Sequence, residues 1–233
     1  MTRLAKWADT LSLLFSAAVI GLAVLWTVRS GVFAVPLTDS PDLPAYLLRS
    51  SGMTAYGLMV ASIVWGLLMS TRLINNWSPG VLSMTIHTSL SWFAIALSFL
   101  HALLLLNRYF DYQATTILIP LVGPQPLRMT LGISGLWLSV AVAVSFALRN
   151  RIGMRAWRWL HQASFLAYAL VTVHVLLAGT DSGLSSFRLM LGLSVCAVVA
   201  LLALRLSRKL VTLNNDAAAT IEVNDELDET NDW

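Results

Sequence analysis

The stretch VLSMTIHTSLSWFAIALSFLHALLLL, residues 81–106, decides the fold: it carries no Asp, Glu, Lys or Arg, yet it holds two histidines. At about 1.5 Å of rise per residue, such a run as a helix crosses a hydrocarbon layer of about 30 Å with residues to spare. Five further runs of the same kind occupy residues 11–28, 53–70, 129–148, 160–178 and 189–204. With 57% apolar and only 12% charged residues, and a mean hydropathy of +0.73, the chain is too apolar for an ordinary soluble domain. The reading is an all-α integral membrane protein, a six-helix bundle spanning residues 1–209, in contact with membrane lipid.

Pro, Gly, Asn, Asp and Ser punctuate the runs at residues 36–44, 75–80 and 179–186. Residues 107–128 form a longer connection with its own apolar patch, 117–122, interrupted by Pro120 and followed by Pro124, which predicts a segment lying at the interface. Ten Lys and Arg residues fall on one side of the predicted spans (Arg3, Lys6, Arg72, Arg149, Arg151, Arg155, Arg158, Arg205, Arg208, Lys209) against five on the other. The cytoplasmic side carries the positive excess, so both termini are expected in the cytoplasm, with the chain multi-pass in the cell inner (plasma) membrane. A rival for the first run is a cleaved signal peptide ending near Val32-Phe33-Ala34. The net charge of +3 does not point to nucleic acid, because the basic residues cap apolar runs rather than forming one face. Residues 210–233 hold seven acids and little apolar patterning, and read as a disordered cytoplasmic tail. No internal repeat or phosphate-cradling glycine loop is visible.

All four histidines fall in apolar runs: His87 and His101 in the third, His161 and His174 in the fifth. An ionisable side chain inside a membrane is costly and marks a pathway or a cofactor. The spacings, 14 and 13 residues, are nearly equal rises of about 20 Å. With one span between them the two helices run the same way, which puts His87 level with His161 and His101 level with His174. Two imidazoles facing each other at one depth can supply both axial ligands of a low-spin haem iron, and the arrangement occurs twice. At about 100° per residue, 14 residues return to nearly the same helix face, whereas 13 leave His161 and His174 about 140° apart. Tilt, local tightening or different ring rotations would each resolve this.

The pattern His87-x13-His101 with His161-x12-His174, and the stretch Trp157-Arg158-Trp159-Leu160-His161-Gln162, resemble the ferric reductase-like transmembrane superfamily, especially its bacterial single-domain members. The resemblance spans roughly residues 53–204. It implies two haems b stacked between helices 3 and 5, an inner one on His87 and His161 and an outer one on His101 and His174. It further implies an oxidoreductase subunit that takes electrons from a cytoplasmic flavoprotein or quinol and passes them to an extracytoplasmic acceptor: ferric iron, oxygen or a partner reductase. The chain departs from the large members in having no room after Lys209 for a nucleotide-binding domain, so FAD and NADPH are not expected on this chain. The competing readings are a quinone-linked cytochrome b of another family and a histidine-lined proton or metal transporter. The latter should carry carboxylates inside the spans, where this chain has none beyond Asp9.

Weaker signals accompany these. Arg108, seven residues beyond His101, and Arg158, three before His161, are positioned either to pair with haem propionates or to anchor helix ends at the interface. Trp77, Trp157 and Trp159 read as interfacial belt residues, and Cys196 as a small packing residue.

Overall fold

The computed structural model describes residues 43–74, 79–107, 110 and 112–231, with side chains as far as residue 211 apart from 180 and 181. The first predicted span, residues 11–28, lies outside the described residues, as do Trp77 and Arg108. The described chain is helical throughout, with no strand. It runs α1 (Leu43–Ser70), α2 (Gly80–Leu104), a short α3 (Ala114–Leu118), α4 (Pro126–Ile152), α5 (Met154–Ala178), a single 3-10 turn (Thr180–Gly183) and α6 (Ser185–Asn231). Five of these helices are long and apolar enough to cross a membrane, α6 through its part Ser185–Val211. The chain is therefore a multi-pass helical membrane protein, and α6 carries on as helix into the acidic stretch.

The helices begin earlier than the apolar runs. α1 starts at Leu43 rather than near residue 53, α4 at Pro126 rather than 129, and α5 at Met154 rather than 160. Proline explains two of these starts: Pro44 lies in the first turn of α1 and Pro126 opens α4, where a missing N–H costs nothing.

Consecutive helices pair. α1 packs along α2, and α4 along α5. The second hairpin closes through one residue, Gly153, at φ 83° and ψ 152°, a conformation open to glycine and strained for any residue with a Cβ. Close approach of its two helices is helped by Gly135, where an added Cβ would stand 2.5 Å from a Val171 methyl carbon. α6 is fastened to both hairpins by polar contacts inside the apolar layer. The Tyr56 hydroxyl lies 2.8 Å from Ser194 Oγ and 3.3 Å from Thr172 Oγ1, and Tyr168 reaches Ser194 at 3.3 Å. The two tyrosine rings stack at 6.3 Å. Such interhelical hydrogen bonds substitute for water that lipid cannot provide. At the other end of α6, Arg208 donates to the Thr71 carbonyl past the end of α1.

The connection expected at the interface turns back onto the bundle. Ile117 is buried, Trp137 Nε1 donates to Leu118 O at 3.0 Å, and Leu121 N donates to Thr130 Oγ1 at 2.7 Å. Cys196 is exposed rather than packed.

Gly153→Ala is expected to cost about 1–3 kcal/mol, because the one-residue link has no alternative conformation that keeps both helices in place. Thermal unfolding of the detergent-solubilised variant measures this; an unchanged midpoint would contradict it.

Candidate functional site

α2 and α5, the two histidine-bearing helices, do not pack tightly on each other; two cavities lie between them. The structure brings the histidines together in two pairs. The rings of His87 and His161 face across a gap with centroids 6.1 Å apart and planes at 72°. Those of His101 and His174 do the same at 6.4 Å and 81°. The pairs ascend together, so α2 and α5 run parallel. α5 is an unbroken α-helix from Met154 to Ala178, so the thirteen-residue offset is not met by local tightening.

The first site, at His87 and His161, is walled by Gly66, Phe146 and Trp157 among others; the second, at His101 and His174, by Gly52, Gly132, Arg49 and Ile117. Met59, Ser98 and Ser139 line both cavities and so stand between the two sites.

Three of the four rings are held in the same way. His87 Nδ1 lies 3.0 Å from Ser62 O, His101 Nδ1 2.8 Å from Leu48 O, and His174 Nδ1 2.8 Å from Arg128 O. A carbonyl oxygen only accepts, so each Nδ1 carries the proton and each Nε2 keeps its lone pair for another partner. In every case a glycine sits four residues after the accepting carbonyl. A Cβ built on Gly66 would come within 3.1 Å of the His87 ring, on Gly52 within 2.8 Å of His101, and on Gly132 within 2.9 Å of His174. The glycine is the helical partner of that carbonyl, one turn on, and its missing side chain is the slot through which the imidazole reaches the oxygen. Ser62 Oγ adds contacts to His87 Nδ1 at 3.3 Å and to Ser91 Oγ at 2.7 Å.

His161 is held differently. Counting 13 residues along α4 from Gly132, the step that separates His161 from His174, leads to Ser145, buried and bonded through its hydroxyl to Val142 O at 2.7 Å. The His161 ring instead lies against Trp157, centroids 5.3 Å apart and planes at 29°. Trp157 packs in turn on Phe146 at 6.1 Å, and the Arg149 guanidinium sits 3.9 Å above the Phe146 ring. Trp157 is thus an inward-packed residue, unlike the belt residue expected, whereas Trp159 is 72% exposed.

Of the two expected cations, Arg158 is exposed and does not line the first cavity. Arg49, unmarked by the sequence reading, lines the second. The glycines were also overlooked, although a signal was present: Gly52 and Gly66 are 14 residues apart, the same step as His87 to His101. Matched steps on adjacent antiparallel helices announce that the two residue types meet.

Compared with known proteins, the chain matches no family model, no curated protein and no solved structure.

Alanine at Gly66 or Gly132 is expected to destabilise by about 1–3 kcal/mol, the usual cost of overpacking. Ser145→Ala, 13 positions beyond Gly132 on α4, should stay within about 1 kcal/mol of the parent, because that position already carries a Cβ and loses one hydrogen bond. Unfolding midpoints of the three variants in detergent decide it; equal damage at Ser145 and Gly132 would show that the glycine slots do not matter.

Proposed function

We propose that the chain is the membrane subunit of an electron-transfer system, a di-haem cytochrome b with one haem on His87 and His161 and the other on His101 and His174. The observation that carries the proposal is the ring separation. Two imidazoles that face each other at such a separation could both hold one metal atom placed between them. The observed separations are 6.1 and 6.4 Å.

The donor set supports a macrocycle rather than a bare ion. A zinc-like site takes three or four protein ligands, and among the described residues no group of three His, Cys, Asp or Glu comes together. Two imidazoles alone suit an iron whose equatorial positions are filled by a porphyrin. When bound, haem supplies a one-electron carrier that exchanges between ferric and ferrous forms without an open position.

The chain's own residues do the rest. The carbonyls of Ser62, Leu48 and Arg128 fix the Nδ1–H tautomer and the ring orientation, and make Nε2 a stronger donor, as second-shell partners of metal-bound histidines do. The apolar walls exclude water, which limits the reorganisation that each electron would otherwise drive. Arg49 offers positive charge beside the second site. The excess of basic residues at the α4–α5 connection, Arg149, Arg151, Arg155 and Arg158, supports a cytoplasmic location for that end and suits an acidic electron donor. On this reading the donor would meet the first site and the acceptor the second. An inside-negative potential favours that direction by about 2.3 kcal/mol per 100 mV for a full crossing.

Purified chain assayed as pyridine haemochrome should return two haems b per polypeptide; one or none would overturn the proposal. Redox titration should then show His87→Ala and His161→Ala losing one component, and His101→Ala and His174→Ala the other. The near-perpendicular rings add a spectroscopic expectation: both ferric centres should give strongly anisotropic low-spin EPR signals, whereas the rhombic signals of coplanar imidazoles would contradict the observed ring angles. NADPH alone should not reduce the haems. Reduction should need an added flavoprotein, quinol or chemical reductant, and with a protein donor it should slow as salt rises.

A further inference from the structure

We propose that Trp157 positions His161 and that its indole N–H donates to a carboxylate of the haem at the first site, one of its propionates. The inference rests on the haem reading above.

Three observations lead to it. The residue 13 positions beyond Gly132 on α4 is Ser145 rather than a glycine, and the His161 ring shows no bond to a backbone carbonyl like those of the other three rings. It is flanked by the Trp157 ring one helical turn earlier, nearly parallel at 5.3 Å. Trp157 lines the same cavity as His87 and His161, and its Nε1 is buried with no hydrogen-bond partner among the described residues. An indole N–H can only donate, and a buried donor inside an apolar layer calls for an acceptor. The protein around it offers cations rather than anions, because Arg149 and Arg151 close α4 and Arg155 and Arg158 open α5. Such an end of the bundle is where the anionic edge of a bound group is best placed, and a carboxylate is the acceptor that both the arginines and the indole would share.

The consequence is a division of labour between the two sites. At the second site both ligands are tied to carbonyls, and their orientation is independent of the cofactor's side groups. At the first, one ring is oriented by a tryptophan that also touches the cofactor's carboxylate, so ligand geometry and propionate charge are coupled. A hydrogen bond to a propionate draws its negative charge away from the iron and raises the potential; its loss lowers it.

The test uses full-length, haem-loaded protein in detergent. Trp157→Phe keeps the stacking ring and removes the N–H. It is expected to retain both haems, to lower the midpoint potential of the first-site component alone, and to shift a propionate bending band in the resonance Raman spectrum. Trp157→Ala removes the stack as well, and should also change the low-spin EPR signal of the first site while the second is untouched. An unchanged potential and propionate band in Trp157→Phe would overturn the carboxylate contact. An unchanged first-site EPR signal in Trp157→Ala would overturn the positioning role. A parent protein without haem would overturn the functional reading itself, and with it this inference.

Discussion

The bond from a histidine Nδ1 to a carbonyl inside a neighbouring helix is the interaction on which the site depends. A helical carbonyl is already used by the N–H four residues on, and normally its side chains shield it. Removing the side chain at that fourth residue exposes the second lone pair, and a ring on the adjacent helix can occupy the slot. The geometry leaves little freedom: the slot fixes the register of the two helices, the rotation of the histidine helix and the tautomer of the ring. Because α1 carries Gly52 and Gly66 at the step that separates His101 from His87, both slots can be filled at once only in one antiparallel register. Each bond contributes about 0.5–1.5 kcal/mol in net terms, but in lipid the alternative is an unsatisfied polar group, and that raises the stakes of losing it.

Seen this way, the bundle contains a repeat that the sequence does not display as similarity. Each hairpin, α1–α2 and α4–α5, consists of a helix that offers slots followed by a helix that offers histidines. The two histidine helices come side by side in parallel because each follows its slot helix in the same order. The polar cluster of Tyr56, Thr172, Tyr168 and Ser194 then ties α6 to one helix of each hairpin, so the relative placing of the hairpins does not depend on what lies between them.

Much of this was legible in the residues. The run at 81–106 announced a membrane helix by composition alone, and the near-equal histidine spacings announced two levels on two helices of like direction. What escaped the reading lies at helix ends and at small residues, for a physical reason in each case. Hydropathy detects contact with lipid, so it stops where polar residues begin, although the backbone continues as helix. The Leu48 and Arg128 carbonyls, Arg49 and Trp157 all sit in those extensions. Glycine has no side chain to signal a contact, and its role becomes visible only once the partner ring is known. Trp157 was read as a belt residue because tryptophans near span ends usually meet the headgroups; here its ring packs on Phe146 and His161 instead. Arg158, three residues before His161, lies on the exposed side of α5, in keeping with the interface-anchoring alternative offered for it.

The departure at Ser145 shows why the two sites are not copies. A full set of four slots would hold four equivalent rings, and two cofactors in like surroundings would differ in potential only through their distance from the membrane faces and the charges there. At the fourth position α4 carries Ser145, whose buried hydroxyl bonds its own helix, and the His161 ring lies against Trp157. A ring without a carbonyl partner is a weaker donor to a metal, and weaker donation stabilises the ferric state less. Were both sites to hold haem as proposed, that difference alone would raise the potential of the site at His161 relative to the other, whereas an electron leaving through the second site would prefer the reverse order. Charge would work against this ordering at the far end, where Arg49 lines the second cavity. The ligand difference and the placement of cations therefore pull in opposite directions.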